Sequence, residues 1–260
     1  MNNPKWIGLL TAVMILLLVG CGNKQETTTE PAKATTTAPP PTPIDPATVG
    51  EVTGKISFAG AKPQPQRIVM DDDPTCLQKQ HGPVFAEDGA VNNNGTLANA
   101  FVYVKAGAEK YTFAPPADPV VLDQDGCMYK PHVVGLMAGQ TLKIVSSDDT
   151  THNIHPMPKD NPEWNMSQAP GSAPIEQKFA RPEIMVPVKC NQHPWMRAWL
   201  GVTSNPFFAV TGSDGTFAIK GLPPGDYTID VWTAAFGTQE QKVTVGAKET
   251  KTVDFKIKAE

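Results

Sequence analysis

The sequence predicts an all-β protein. After the first 48 residues, short apolar runs alternate with Gly, Pro, Asn and Asp, and no stretch of ten residues keeps the apolar spacing of an amphipathic helix. Late in the chain the apolar residues alternate with polar ones at a period of two, as expected for strands with one buried face. These alternating positions are Tyr227, Ile229 and Val231, followed by Val253, Phe255 and Ile257.

The N-terminal residues predict export. Lys5 precedes an apolar run at residues 6–19, and together they form a signal peptide over residues 1–20. The run is shorter than the about 20 residues that a transmembrane helix needs. Residues 18–21, Leu-Val-Gly-Cys, resemble the lipobox of bacterial lipoproteins, which implies that Cys21 is acylated and anchors the chain to a membrane. An ordinary secretory signal is the alternative.

Residues 21–48 predict a disordered tether. They are rich in Pro, Thr, Ala and Lys and contain almost no large apolar residue, so they cannot form a core. The prolines favour an extended conformation at about 3.1 Å per residue. We therefore expect an extracytoplasmic protein on the outer membrane facing the periplasm, or on the cell surface. The formal net charge of −4 gives no reason to expect a nucleic-acid partner.

Two motifs in the last fifty residues are informative: residues 209–217 (AVTGSDGTF) and 221–227 (GLPPGDY). They resemble the carboxypeptidase regulatory-like family, which implies a prealbumin-like or Ig-like β-sandwich. This tail has too few strands for the fold, and residues 52–58 and 100–104 look like the missing ones. We therefore expect one sandwich divided between 49–113 and 206–260, with a second domain at 114–205. Two tandem sandwiches are the alternative.

Two short motifs between residues 114 and 205 predict a metal site. Cys190, His193 and Met196 place a thiolate, an imidazole and a thioether within seven residues, and Pro194 stiffens the turn between them. His152 lies some forty residues earlier and supplies a second imidazole. One Cys, two His and a weak axial Met form the blue-copper ligand set. Zinc is the main alternative metal, but it gains little from a thioether.

These motifs resemble those of the cupredoxins, particularly the amicyanin and plastocyanin type, over residues 118–204. The resemblance implies a Greek-key β-sandwich with one type 1 copper ion. It also implies the ligands His152, Cys190, His193 and the axial Met196. Asn153 is expected to join the two ligand loops through hydrogen bonds. Cupredoxins usually offer an apolar surface around the second histidine to their partners, which implies a docking patch formed by Pro156, Met157, Pro194 and Trp195.

Two further cysteines, Cys76 and Cys127, remain once Cys21 is lipidated and Cys190 binds copper. In an oxidising compartment they suggest a disulfide. The alternative is a second metal site formed with His81 and His132, because a Cys-x4-His spacing occurs twice. Otherwise these two histidines are expected to be structural. The acidic run at residues 71–73 is expected to be a solvated loop.

Together these features predict a non-enzymatic electron-transfer lipoprotein. Its copper would cycle between Cu(I) and Cu(II), receiving electrons from one redox partner protein and passing them to another. A copper-binding or copper-delivery protein is the alternative, and four further residues would suit it: His155, Met157, Met166 and Met185. A third possibility is a scaffold protein whose copper is structural only.

Overall fold

The computed structural model describes residues 40–259. Within them the chain forms nineteen strands and one short helix, which confirms the all-β class. In chain order the elements are β1 (Gly50–Ala59), β2 (Arg67–Ile68), α1 (Pro74–Lys79), β3 (Val84–Phe85), β4 (Phe101–Ala106), β5 (Val120–Gln124), β6 (Tyr129–Lys130), β7 (Val133–Met137), β8 (Thr141–Ser146), β9 (His152–Pro156), β10 (Met166–Gln168), β11 (Ile175–Lys178), β12 (Glu183–Lys189), β13 (Arg197–Thr203), β14 (Phe208–Val210), β15 (Thr216–Leu222), β16 (Gly225–Thr233), β17 (Gly237–Val245), β18 (Thr250–Thr252) and β19 (Phe255–Lys258).

The predicted signal peptide, the lipidated Cys21 and most of the predicted tether lie outside the described residues. Across residues 40–259, no helix is both long and apolar enough to cross a membrane. The end of the tether, predicted at residue 48, is placed too late. The backbone N–H of Thr42 donates to the carbonyl of Thr112 at 2.8 Å, and Ile44 packs against a hydrophobic core. Residues from Thr42 onward therefore contact the folded domain.

The first sandwich, called the outer sandwich, contains β1, β4 and β14 to β19. One sheet has the order β15-β1-β18, with β19 also paired to β1, and the other has the order β14-β4-β16-β17. Strands from residues 50–106 are therefore hydrogen-bonded to strands from residues 208–258. The alternating apolar residues predicted for β16 and the final strands are buried in its core.

The second sandwich, called the central sandwich, contains β5 to β13. Its sheets have the orders β10-β9-β12-β13-β7 and β11-β8-β5-β6. Its core contains large apolar side chains such as Leu122, Ile144 and Leu200, each fully buried. Because β9 and β12 are antiparallel neighbours, with Lys189 opposite His155, the start of β9 lies near the end of β12. The two predicted ligand motifs occupy these two positions.

A connection between β1 and β4 crosses to the central sandwich. We call residues 67–85 of this connection, which contain β2, α1 and β3, the cover segment. Asp73 caps the N-terminus of α1 and Pro74 is at the first helical position, a favourable start for a helix. A disulfide joins Cys76 in α1 to Cys127, with a Cα–Cα distance of 5.5 Å. The cover segment is thereby fixed to the central sandwich.

The two sandwiches also share an apolar contact. The ring of Phe101 in β4 lies against Gly135 in β7 and Gly201 in β13, which are opposite each other in adjacent strands. A Cβ atom at Gly201 would lie 2.4 Å from that ring, so only glycine allows this approach. Met185 and Phe208 join the same cluster. This apolar cluster joins strands of both sandwiches.

Candidate metal centre

The structure brings three of the predicted ligands together. His152 starts β9, Cys190 follows β12, and His193 lies in the turn before β13. Their candidate ligand atoms all lie within 4.8 Å of one another, and all three residues are buried. The Nδ1 atoms of the two histidines are 2.9 Å apart, and Sγ of Cys190 is 3.7 Å from Nδ1 of His193.

The turn from Cys190 to Met196 is closed by its own backbone. The N–H of Met196 donates to the carbonyl of His193 at 2.9 Å, and the N–H of Cys190 donates to the carbonyl of Met196 at 3.2 Å. Met196 is fully buried within the core of the central sandwich. Its place in the turn is compatible with the axial role, which stays a prediction.

The donor set fits a copper ion. A thiolate with two imidazoles in a buried, closely spaced group is the trigonal part of a blue-copper site. Burial alone would raise the pKa of Cys190, but hydrogen bonds with the His152 side chain and the Asn153 backbone lower the pKa to about 7. The lowered pKa makes deprotonation of the thiol easier, and metal binding requires that deprotonation.

Both histidines are oriented by carboxylates that sequence reasoning missed. Nε2 of His152 is 2.9 Å from Oδ2 of Asp148, and Nε2 of His193 is 2.9 Å from Oδ2 of Asp73. Each imidazole can therefore donate from Nε2 and keep Nδ1 for the centre of the cluster. The only local signal was the separation of four residues between Asp148 and His152, and no signal connected Asp73 to His193.

Asp148 is held firmly in this role. Its side chain is fully buried and accepts hydrogen bonds from the backbone N–H groups of Gly126 and Cys127 at 2.8 and 2.7 Å. Burial opposes ionisation, but the hydrogen bonds from His152 and these N–H groups hold the pKa of Asp148 below its usual value. Burial likewise disfavours charge on His152, and its hydrogen bonds to Asp148 and Cys190 outweigh this and raise its pKa to about 9.

Asn153 joins the two ligand loops. Its Oδ1 accepts a hydrogen bond from the backbone N–H of Asn191 at 2.7 Å and lies 3.3 Å from Sγ of Cys190. Its Nδ2 donates to Oδ1 of Asn165 at 2.7 Å. The side chain predicted from the resemblance is thus in contact with the cysteine sulfur and with the following residue.

Several other predicted residues lie elsewhere. His155 contacts Glu163 and Asn191, and His132 contacts Asp88 at 2.8 Å. His81 is exposed.

The Cys76–Cys127 disulfide leaves no thiolates for the alternative second metal site. Among the methionines considered for copper delivery, Met185 packs between the two sandwiches and Met166 is 37% exposed on β10.

The predicted docking patch is divided. Pro194 and Met157 line an open groove of about 440 Å³, together with Cys190 and Trp199. Pro156 is buried and therefore cannot form part of a docking surface, because β9 pairs with β12 at this position. Trp195 is half-buried, lies 5.1 Å from the ring of His193, and donates from Nε1 to the carbonyl of Cys127.

The acidic run at residues 71–73 also differs from the sequence prediction. Asp71 and Asp72 are exposed, as expected for a solvated loop, but Asp73 contacts His193. The hydrogen bonds from the backbone N–H of Cys76 and from the side chain of His193 lower the pKa of Asp73. The difference arises because the cover segment folds back over the ligand turn.

Comparison with protein families covers only part of the chain. Residues 201–258 match the carboxypeptidase regulatory-like domain. This match includes β14 to β19 of the outer sandwich but neither β1 nor β4. None of the curated proteins matches the chain.

Comparison with solved structures shows weak similarity to cupredoxins. A Cu-containing nitrite reductase (NirK) from Thermus scotoductus SA-01 is 20% identical with a TM-score of 0.31, over 40% of this chain and 25% of the reductase. The chain thus spans a quarter of that enzyme. An amicyanin variant in the Cu(I) state is 16% identical with a TM-score of 0.29, over 39% of this chain and 98% of amicyanin.

A purple cupredoxin from Nitrosopumilus maritimus is 21% identical with a TM-score of 0.26, over 29% of this chain and 82% of that protein. Similarity at this level does not identify a site. The interpretation of the metal centre therefore depends on the geometry of its own residues.

Proposed function

We propose that this protein is an exported, lipid-anchored copper protein that carries single electrons between redox partner proteins. The observation that carries the proposal is the buried cluster of two imidazoles and one thiol with ligand atoms within 4.8 Å of one another. One copper ion held there by His152, Cys190, His193 and Met196 would supply the Cu(I)/Cu(II) couple.

The residues around the cluster suit electron transfer because they keep the ligands in place. Asp148 and Asp73 hold the Nε2 atoms of the two histidines, and Asn153 contacts the cysteine sulfur. These contacts restrict movement of the ligands when the charge of the centre changes. Small ligand movement between the two oxidation states lowers the barrier to electron transfer.

The cellular location is part of this proposal and depends on the N-terminal sequence. Residues 1–20 would direct export, and acylated Cys21 would anchor the chain to a membrane. The Cys76–Cys127 disulfide supports an extracytoplasmic location, since disulfides persist in oxidising compartments.

The first test is an absorption spectrum of the full chain loaded with Cu(II). We expect an intense visible thiolate-to-copper band that bleaches reversibly on reduction. Cys190→Ser should abolish the band, and Met196→Leu should keep it while changing the reduction potential. His81→Ala is the matched control, because His81 is exposed and should leave the band unchanged.

The same preparation distinguishes electron transfer from copper delivery. An electron carrier should keep its copper in the presence of a competing chelator, whereas a delivery protein should release it quickly. A chain that stays colourless with Cu(II), or that prefers zinc, would contradict the electron-carrier proposal.

A further inference from the structure

The second ligand histidine is covered, although the cupredoxin resemblance implies an exposed apolar surface around it. His193 is only 4% exposed. The cover segment lies over it, and Oδ2 of Asp73 is 2.9 Å from its Nε2. The carboxylate comes from the connection between β1 and β4 of the outer sandwich, 120 residues away in sequence from His193.

The two oxygens of Asp73 have separate partners. Oδ1 accepts hydrogen bonds from the backbone N–H groups of Thr75 and Cys76 at 2.8 and 3.0 Å, which caps α1. Oδ2 is left to accept from His193. The helix cap therefore sets the orientation of the carboxylate, and the carboxylate sets the orientation of the imidazole.

The cover segment is fixed at several points beside the cluster. Cys76 is bonded to Cys127, whose N–H also donates to Asp148 at 2.7 Å. Lys79 pairs with Asp149 at 3.2 Å. Gln80 donates to the carbonyl of Gly126. The disulfide thus connects the segment that carries Asp73 to the loop that holds Asp148.

We infer that Asp73 is a positioning residue that keeps His193 on the metal through the Nε2–H hydrogen bond, and that the disulfide-linked cover segment maintains this contact. The inference depends on the proposed copper site and adds a component supplied by the cover segment. A carboxylate on the distal nitrogen fixes the ring and makes it a stronger donor. A stronger imidazole donor favours Cu(II) over Cu(I).

The test compares Asp73→Ser with Asp72→Ser in the full chain. Serine is a good N-cap residue, so Asp73→Ser can keep α1 capped while removing the oxygen that reaches His193. Asp72 is exposed and adjacent, so Asp72→Ser removes the same charge without touching the hydrogen bond. The difference between the two variants therefore reports the contact itself.

Two measurements are made on each variant. In NMR spectra of the metal-free and Cu(I) chains, the Nε2–H proton of His193 should exchange slowly with solvent in the parent and in Asp72→Ser, and rapidly in Asp73→Ser. In the copper-loaded chain, Asp73→Ser should bind Cu(II) about 10-fold more weakly than Asp72→Ser in competition with EDTA. A tenfold weaker affinity for Cu(II) at unchanged affinity for Cu(I) would raise the reduction potential by about 59 mV.

A Cys76→Ser/Cys127→Ser double variant tests the role of the cover segment. This variant keeps Asp73 but removes the disulfide that fixes the cover segment. It should therefore increase proton exchange at His193 and weaken copper binding, as Asp73→Ser does. Equal behaviour of Asp73→Ser and Asp72→Ser in both measurements would overturn the inference.

The outcomes also distinguish the inference from the proposed function. If no visible copper band forms but the His193 proton is protected by Asp73, the copper proposal fails and the contact is structural. If the band forms and neither measurement depends on Asp73, the copper proposal holds and the inference fails.

Discussion

The cores of the outer and central sandwiches are built from different chemistry. The outer core consists of apolar and aromatic side chains such as Ile56, Ile229 and Phe255. The central core contains comparable apolar residues, but one end of it also buries Asp148, His152, Cys190 and His193. Burying such groups costs free energy unless each has a partner. In the central sandwich each of these side chains has one, and this end of the core is the candidate metal centre.

Among the described residues, the buried carboxylate of the outer sandwich, Asp230, pairs with Tyr103 and Lys105, whereas buried Asp148 of the central sandwich holds a histidine of the metal centre. The two sandwiches therefore differ in what their buried polar groups contact. Asp148 and Asp73 accept hydrogen bonds from the Nε2 atoms of the two histidines. One of these carboxylates comes from outside the central sandwich. The connection between β1 and β4 therefore contributes a residue to the site.

The largest expected effect comes from matched cavities in the two cores. Ile154→Ala and Ile229→Ala each remove a fully buried side chain, and each should lower the free energy of unfolding by about 2–5 kcal/mol. Ile154 lies between His152 and Pro156 in β9, so its replacement should also change the copper absorption band. Ile229→Ala should leave that band unchanged. Denaturant unfolding followed by circular dichroism and absorption measures both effects.

If the copper band changes as much in Ile229→Ala as in Ile154→Ala, the claim that only the central core affects the copper site is contradicted.

A glycine substitution tests how strongly the two sandwiches depend on each other. Gly201→Ala would force a methyl group against the ring of Phe101, and should destabilise the chain by about 1–3 kcal/mol. Gly212→Ala is the control, because Gly212 is exposed and has open space around its Cβ position. Thermal unfolding measures both variants. Equal stability of the two would show that the close contact at Phe101 is not required.

Two buried tyrosines allow a smaller matched comparison. The hydroxyl of Tyr129 donates to the carbonyl of Asn153 and lies 3.2 Å from that of Lys189, while the hydroxyl of Tyr227 donates to Pro223 at 2.6 Å. Replacing either by phenylalanine should cost about 0.5–1.5 kcal/mol. Only Tyr129→Phe should alter the copper band, since its acceptors adjoin the two ligand loops. A band unchanged in Tyr129→Phe would contradict this link.

The smallest expected effect is on the pH dependence of stability. Burial opposes ionisation of Asp88, but hydrogen bonds from His132 and Trp199 hold its pKa below the usual value. A carboxyl group with a lowered pKa contributes stability above its ordinary pKa, and that contribution is lost as the pH falls through the folded-state pKa. Asp88→Asn should therefore reduce the loss of stability below about pH 4 by about 0.5 kcal/mol.

Acid unfolding curves of the parent and Asp88→Asn measure this difference. Asp72→Asn is the control, because Asp72 is exposed and belongs to the same connection between β1 and β4. If the free energy of unfolding falls equally with pH in the parent and in Asp88→Asn, the contact with His132 contributes no pH-dependent stability.

The sequence by itself determined the features that depend on local spacing. The period of two over Tyr227, Ile229 and Val231 predicted a strand, because successive side chains of a strand point to opposite faces. The close spacing of Cys190, His193 and Met196 predicted a turn that could gather ligands. Both signals are contained within seven residues or fewer, where backbone geometry limits which side chains can meet.

Only the tertiary structure decided which distant residues meet. Asp73 reaches His193, Cys127 supports Asp148, and Phe101 packs on Gly135 and Gly201. An aspartate at a helix cap and a glycine in a strand have ordinary local explanations, so neither indicates a distant partner. The contact of Asp73 with His193 exists because the connection between β1 and β4 folds over the ligand turn, and that path depends on packing and on the disulfide rather than on any periodic pattern in the chain.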